Sequence, residues 1–210
     1  MATLYWCQLF EIMLTQSNQY TDYLQSNEAR WKQILDVQRV YRKHLRSLKP
    51  GRVLDVGCGL GRHLWHLQQV SNSVGIDHNP HSVAIARTRH LNAFTPEDFH
   101  ISVEAKPQSF DTLLLSHVLE HLTFQSAREL IDEYFDYLRP NGRVIIMTPQ
   151  ELGFRSDATH VSFMDPKKIR QLIEGTNLSL ERQYSFPLPR WCGRLFRYNE
   201  FVCIARKKVE

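Results

Sequence analysis

A short apolar run, Val53-Leu54-Asp55-Val56, opens directly onto Gly57-Cys58-Gly59-Leu60-Gly61. The run reads as a buried strand, and the glycines let the backbone turn sharply after it. Leu60, Leu64 and Leu67 then fall on one helical face. This order of strand, turn and helix recurs down the chain. Ser73-Val74-Gly75-Ile76-Asp77 reads as a second strand. Asn79-Pro80 follows as N-cap and first residue of a helix reaching about His90. Residues 91–94 form a third, weaker strand, and Thr95-Pro96-Glu97-Asp98 a capped helical turn. Asp111-Thr112-Leu113-Leu114-Leu115-Ser116 is a buried strand. Phe124, Ala127, Ile131, Tyr134 and Leu138 then line a long amphipathic helix. After the turn at Pro140-Asn141-Gly142, Val144-Ile145-Ile146-Met147 is uniformly apolar, as a parallel strand covered on both faces should be. Asp165-Pro166 caps a helix that stops at Gly175, and strands near 177–186 and 199–206 close the chain. Such alternation predicts a doubly wound α/β domain with a mostly parallel sheet. Residues 187–196 are too few and too proline-rich for a crossover, so the last two strands should pair antiparallel.

The 210 residues suffice for one full-sized domain. The composition shifts at Lys49-Pro50-Gly51. Residues 1–49 read helical, with Ile34, Tyr41, Leu45 and Leu48 at helical spacing and a further short helix over 3–16. They form a cap or flank on a domain spanning 50–210. With 42% hydrophobic and 23% charged residues, disorder and coiled coil are excluded as the main state. The apolar stretch 4–14 is broken by Gln8 and Glu11 and is too short for a membrane span, and no signal peptide is expected. Lysine plus arginine number 26 against 22 aspartate plus glutamate, a balance of +4 that falls short of a nucleic-acid-binding stripe. Cys7, Cys58, Cys192 and Cys203 are scattered, which suits reduced thiols in the cytoplasm.

In such a sheet, ligands sit beyond the carboxyl ends of the strands. The first strand ends at the glycine turn, where the next helix offers free N–H groups. The second ends in Asp77, whose carboxylate suits the two hydroxyls of a ribose. A dinucleotide and S-adenosylmethionine both fit those facts. The spacing is G-x-G-x-G and not G-x-G-x-x-G, and Asp55 just before it would repel a pyrophosphate. Asp55 would instead suit an α-ammonium group, so S-adenosylmethionine is the expected cofactor.

These residues resemble a known family. Val53-Leu54-Asp55-Val56-Gly57-Cys58-Gly59-Leu60-Gly61 is similar to the first motif of class I S-adenosylmethionine-dependent methyltransferases. Gly75-Ile76-Asp77-His78-Asn79-Pro80 is similar to their second-strand acidic motif. The segment from Phe110 through Ser116-His117-Val118-Leu119-Glu120-His121-Leu122 resembles the fourth-strand motif of the ubiquinone-pathway O-methyltransferase-like branch, and Leu138-Arg139-Pro140-Asn141-Gly142-Arg143-Val144 the turn into the fifth strand. The resemblance implies a three-layer, Rossmann-like sheet of seven strands with the last one antiparallel. It implies cofactor contacts from Asp55, Gly57, Cys58, Gly59, Asp77, His78, Ser116 and His117. The family's acidic residue after the third strand has no clear counterpart in Phe94-Thr95-Pro96-Glu97-Asp98-Phe99, so the adenine neighbourhood falls to Thr95 and Phe99.

Methyl transfer from a sulfonium is a direct displacement, in which the protein mainly aligns donor and acceptor. An oxygen acceptor must also lose a proton, for which histidine is suited. His160, in the 153–164 loop over the carboxyl edge, is the expected base, with Asp157 as its orienting partner. His117 at the tip of the fourth strand is a second catalytic candidate, whereas His121 reads as structural. The expected activity is methyl transfer to a small-molecule acceptor, most simply at oxygen and with no metal. One alternative resembles the small-RNA 3′-end methyltransferases: His117, Glu120, His121 and His160, with Thr148-Pro149, would hold a divalent metal beside a terminal ribose. Another is a cofactor-binding module without chemistry. Acceptor contacts should come from the N-terminal helices, Tyr20 and Trp31 among them, from the 153–164 loop, and from residues 187–198, where arginines interleave with aromatics. Oligomeric state is left open.

Overall fold

The computed structural model describes residues 38–68 and 71–209. The expected helix over 3–16, the apolar stretch 4–14, and Cys7, Tyr20, Trp31 and Ile34 lie outside the described residues. In chain order the elements are α1 (Gln38–Ser47), β1 (Val53–Val56), α2 (Arg62–Leu67), β2 (Val74–Ile76), α3 (Pro80–Thr88), β3 (Ala93–Phe94), α4 (Pro96–His100) and β4 (Phe110–Ser116). A 3-10 turn (Leu119–His121) leads to α5 (Phe124–Phe135), β5 (Leu138–Pro149), α6 (Glu151–Arg155), α7 (Pro166–Ile173) and β6 (Leu178–Phe186). A second 3-10 turn (Arg190–Arg194) leads to β7 (Glu200–Lys207).

The seven strands form one sheet in the order β3-β2-β1-β4-β5-β7-β6. The pairs from β3 through β5 are parallel, and β7 runs antiparallel to both its neighbours. This is the expected seven-stranded, doubly wound α/β sheet.

Side-chain alternation along the strands splits the core between the two faces of the sheet. Leu54, Val56, Leu113, Leu115, Val144 and Ile146 pack on one face with Ala127 and Ile131 of α5 and Ile169 and Leu172 of α7. Val53, Leu114, Ile145, Met147, Val202 and Ile204 pack on the other with Leu45 of α1 and Leu67 of α2. All are nearly or fully buried, and each buried valine, leucine, isoleucine or methionine is worth about 1.5–3 kcal/mol. α1 is thus part of the layer that covers this face of the sheet.

The expected caps form. Asn79 Oδ1 accepts from the N–H groups of His81 and Ser82, Thr95 Oγ1 from Asp98, and Asp165 Oδ1 from Lys168. Some boundaries differ from the sequence reading. The helix after Asn79 stops at Thr88, and His90 already has φ +58°. Leu138 heads β5 rather than ending α5: it pairs with Phe110 and is buried in the sheet core. The Pro140-Asn141-Gly142 turn is an outward excursion within that strand, since pairing resumes at Thr112 with Arg143. Leu138 satisfies helical spacing and strand burial equally, and only the pairing decides.

Candidate active site

The glycine turn after β1 has left-handed backbone at Gly57 (φ +78°), Gly59 (φ +52°) and Gly61 (φ +79°). A Cβ at Gly57 would stand 2.3 Å from Val118 Cγ2. The turn is bolted to β2: the N–H groups of Gly57 and Cys58 both donate to Ile76 O, at 2.7 and 3.0 Å. Asp77, at the tip of β2, faces this turn. Its Oδ2 accepts the Gly59 N–H at 2.7 Å and its Oδ1 the Asn79 N–H at 2.9 Å. Each oxygen has a second lone pair for a further donor.

Asp55 is 1% exposed, and its Oδ2 has no hydrogen-bond partner among the described residues. Burial pushes its pKa up to about 7, against the pull of the Arg62 guanidinium and with added repulsion from Asp77. A buried carboxylate with an idle oxygen fits a cationic ligand group, and beside it Asp77 fits a diol. The two residues and the cleared glycine turn therefore suit the amino-acid end and the ribose of S-adenosylmethionine.

Other expected cofactor residues fall differently. The Cys58 side chain points into an apolar cluster with Leu64, Val83 and Ala86, so it shapes the turn from below. His78 is exposed, with Nδ1 4.0 Å from Asp77 Oδ1. The Thr95 hydroxyl is committed to capping α4. Phe99 is fully buried against Tyr134 and Tyr137, which corrects its assignment to the adenine neighbourhood: one turn into α4, it faces the core. Ser116 Oγ lies 3.0 Å from Nε2 of His63. Burial holds the His63 pKa well below its usual value, so the ring is neutral. His63 was not expected at the site, because it lies 53 residues from Ser116 in sequence.

His117 follows β4 with φ +59°. Its Nδ1–H donates to Glu120 Oε1 at 3.1 Å and its Nε2–H to Glu200 Oε1 at 2.9 Å. Burial opposes the charge, but Glu200 and Glu120 outweigh it and carry the His117 pKa up to about 10. With both ring nitrogens engaged by carboxylates, His117 is placed as a strut between Glu120 and Glu200 and not as a base for the acceptor. Glu200 is the first residue of β7, 83 positions away, and no local signal marks it.

Glu120 is fully buried, and its Oε2 also has no partner among the described residues. The Val161 and Ser162 N–H groups donate to Glu120 O, which straps the 156–164 loop down beside it. That loop delivers His160. Its Nδ1–H donates to Phe154 O at 2.7 Å, which leaves Nε2 for other partners, 4.0 Å from Glu120 Oε1. The ring stacks on Phe154 and meets His121 edge to face. Ligating atoms of Glu120, His121 and His160 all lie within 4.8 Å of one another. Asp157 does not orient His160, as the sequence reading expects. Its Oδ1 accepts both the N–H and the hydroxyl of Thr159, and Thr159 Oγ1 sits 3.1 Å from His121 Nδ1.

The connection between β6 and β7 lies at this same edge, because Glu200 pairs with both Phe186 and Pro149. Gln150 anchors it: Gln150 Nε2 donates to Glu200 O, and Gln150 Oε1 accepts from Asn199 Nδ2. Arg190 pairs with both oxygens of Glu151 and stacks on Phe201.

Comparison with known proteins agrees with this geometry. Residues 30–183 match a family profile described as "Methyltransferase domain". The chain belongs to that family, and its fold is that of the class I methyltransferases. A tRNA U34 carboxymethyltransferase from Pseudoalteromonas translucida is 31% identical over 111 residues, which cover 50% of this chain and 34% of that protein. A ubiquinone biosynthesis O-methyltransferase from Xylella fastidiosa is 32% identical over 108 residues, covering 49% and 43%. The chain thus matches less than half the length of these relatives. Among solved structures, a SAM-dependent methyltransferase from Archaeoglobus fulgidus superposes with a TM-score of 0.62 at 19% identity, over 81% of this chain and 94% of that one. Among the described residues no helix is long and apolar enough to cross a membrane.

Proposed function

We propose that this chain is an enzyme that moves a methyl group from S-adenosylmethionine to an oxygen of a small-molecule acceptor in the cytoplasm, with residues 1–49 flanking a catalytic domain at 50–210. The methyltransferase class and its cofactor follow from family membership. The observation that carries the site assignment is the unpartnered Asp55 Oδ2, buried next to an Asp77 carboxylate that already faces the glycine turn.

Bound S-adenosylmethionine supplies an activated methyl group. Asp55 balances its ammonium charge, Asp77 holds its ribose hydroxyls, and Gly57 and Gly59 leave room for close approach. His160 takes the acceptor proton at Nε2, because its Nδ1–H is already spent on Phe154 O. Such a base contributes about 10²–10⁴-fold. His117 holds the tip of β4 against β7.

A second reading has an RNA hydroxyl as the acceptor, and the Glu120, His121 and His160 cluster favours it. The three residues would hold a divalent cation, and the idle, buried Glu120 Oε2 fits that demand. A cation there would polarise an acceptor oxygen. Two nitrogens and one carboxylate suit manganese, iron or zinc better than magnesium.

Incubation with methyl-labelled S-adenosylmethionine separates the readings. Label entering a small-molecule fraction, undiminished by a chelator, supports the first. Label entering RNA and lost on chelation supports the second. No transfer to any acceptor, with S-adenosylhomocysteine also failing to bind, contradicts both.

A further inference from the structure

We propose that the β6–β7 connection, residues 187–199, is a platform for single-stranded RNA at the lip of the active site, an inference that rests on the RNA reading of the acceptor. Trp191, Leu195 and Tyr198 on this short segment are 68%, 76% and 40% exposed. Leu188 is exposed as well. Such a concentration of large apolar side chains on a surface marks a contact site.

The segment beneath them is pinned by hydrogen bonds. The Cys192 N–H donates to Pro189 O and the Phe196 N–H to Cys192 O. The Leu188 N–H donates to Asn199 Oδ1, and Asn199 Nδ2 bridges Gln150 Oε1 and Pro189 O. Gly193 lies so close to Gln150 that a Cβ would stand 1.9 Å from its Oε1. The exposed rings are therefore held outward by a fixed base and do not belong to a loose loop.

Charge selects the partner. Residues 187–199 contain Arg190, Arg194 and Arg197 and no acidic residue. Glu151 neutralises Arg190. Arg194 and Arg197 are exposed, and the Arg197 guanidinium lies over the Tyr198 ring. The Tyr41 hydroxyl donates to Tyr198 O, which joins α1 to the platform. On α1, Arg39 and Lys43 are exposed, and residues 38–49 carry no acid. Exposed aromatics set among arginines are the chemistry that stacks unpaired bases and tracks a phosphate backbone. A duplex offers no free base faces to Trp191 and Tyr198. The platform ends one residue before Glu200, which contacts His117, so it adjoins the wall of the proposed acceptor site.

The test is fluorescence anisotropy of a labelled 12-nucleotide oligouridine with the full chain. Binding should weaken steeply as salt rises from about 50 to about 200 mM. Arg194→Glu with Arg197→Glu should lower affinity at least about tenfold and flatten that salt dependence. Trp191→Ala should cost about tenfold with the salt dependence kept. Both variants should retain stabilisation by S-adenosylhomocysteine, which shows that they fold. No binding by the unaltered chain, or binding that ignores these substitutions, overturns the proposal. Tighter binding of duplex RNA, or equal competition by polyglutamate, overturns it in favour of a shape reader or an acidic protein partner. Oligouridine binding without any response to S-adenosylhomocysteine leaves the platform standing and removes the methyltransferase reading.

Discussion

His117 Nε2 and Glu200 Oε1 stand 2.9 Å apart and join the tip of β4 to the first residue of β7. With Glu120 on the other ring nitrogen, this contact closes one wall of the site through a charged imidazole. Glu200→Ala removes one of its two carboxylate partners. The expected loss of unfolding free energy in urea is about 1.5 kcal/mol, the low end for a hydrogen bond to a charged group, because His117 is still 33% exposed. Unchanged stability in this variant would mean that the strut carries no load.

Asp55 makes a pH-dependent prediction. Its folded pKa, near 7, lies above the ordinary carboxylate value, so the folded chain binds the proton more tightly than the unfolded one. Stability from this group is then complete below about pH 4 and falls as pH rises through about 7, by a few kcal/mol. Asp55→Asn should stabilise the ligand-free protein at pH 8 and much less at pH 5, as read by thermal unfolding. The same variant should bind S-adenosylhomocysteine at least about tenfold more weakly at pH 8, a loss of about 1.4 kcal/mol. Unaltered chain should bind it more tightly at pH 8 than at pH 6 and release a proton on binding, seen by calorimetry in buffers of different ionisation enthalpy.

Gly57 tests the turn. Alanine there faces both a left-handed φ and the Val118 side chain. Gly57→Ala should cost more than about 1 kcal/mol of stability and abolish cofactor binding. Adding Val118→Ala relieves the clash but not the backbone strain, so rescue should be partial. Full rescue would show that the left-handed conformation is not required.

On the RNA reading, the Glu120, His121 and His160 cluster predicts a metal response. Manganese should raise the melting temperature of the unaltered protein. His160→Ala and Glu120→Gln should each erase that rise while keeping the response to S-adenosylhomocysteine. A manganese effect that survives both substitutions places the ion elsewhere.

The glycine turn and the two carboxylates proposed to hold the cofactor were legible in the sequence because these parts are local. Asp55 lies in one strand with the glycine turn directly after it, and Asp77 follows the next strand. The caps at Asn79, Thr95 and Asp165 were equally local. His63 and Glu200 were not legible, because each reaches the site through sheet order and the turn of α2, over separations of 53 and 83 residues. Asp157 shows a subtler limit. Sequence proximity put it beside His160, whereas its side chain folds back on Thr159 and acts toward His121. Leu138 fits a helix face and a strand start equally well, and the bond network alone separates them.

Cofactor binding at this site requires that Asp55 hold a cationic amino-acid group and Asp77 a sugar diol. Isothermal titration with S-adenosylhomocysteine at pH 8 tests this most directly. It should give saturable one-site binding that Asp55→Asn and Asp77→Ala each weaken by at least about tenfold, or about 1.4 kcal/mol. Absence of binding, affinity untouched by both substitutions, or a preference for NAD would contradict it.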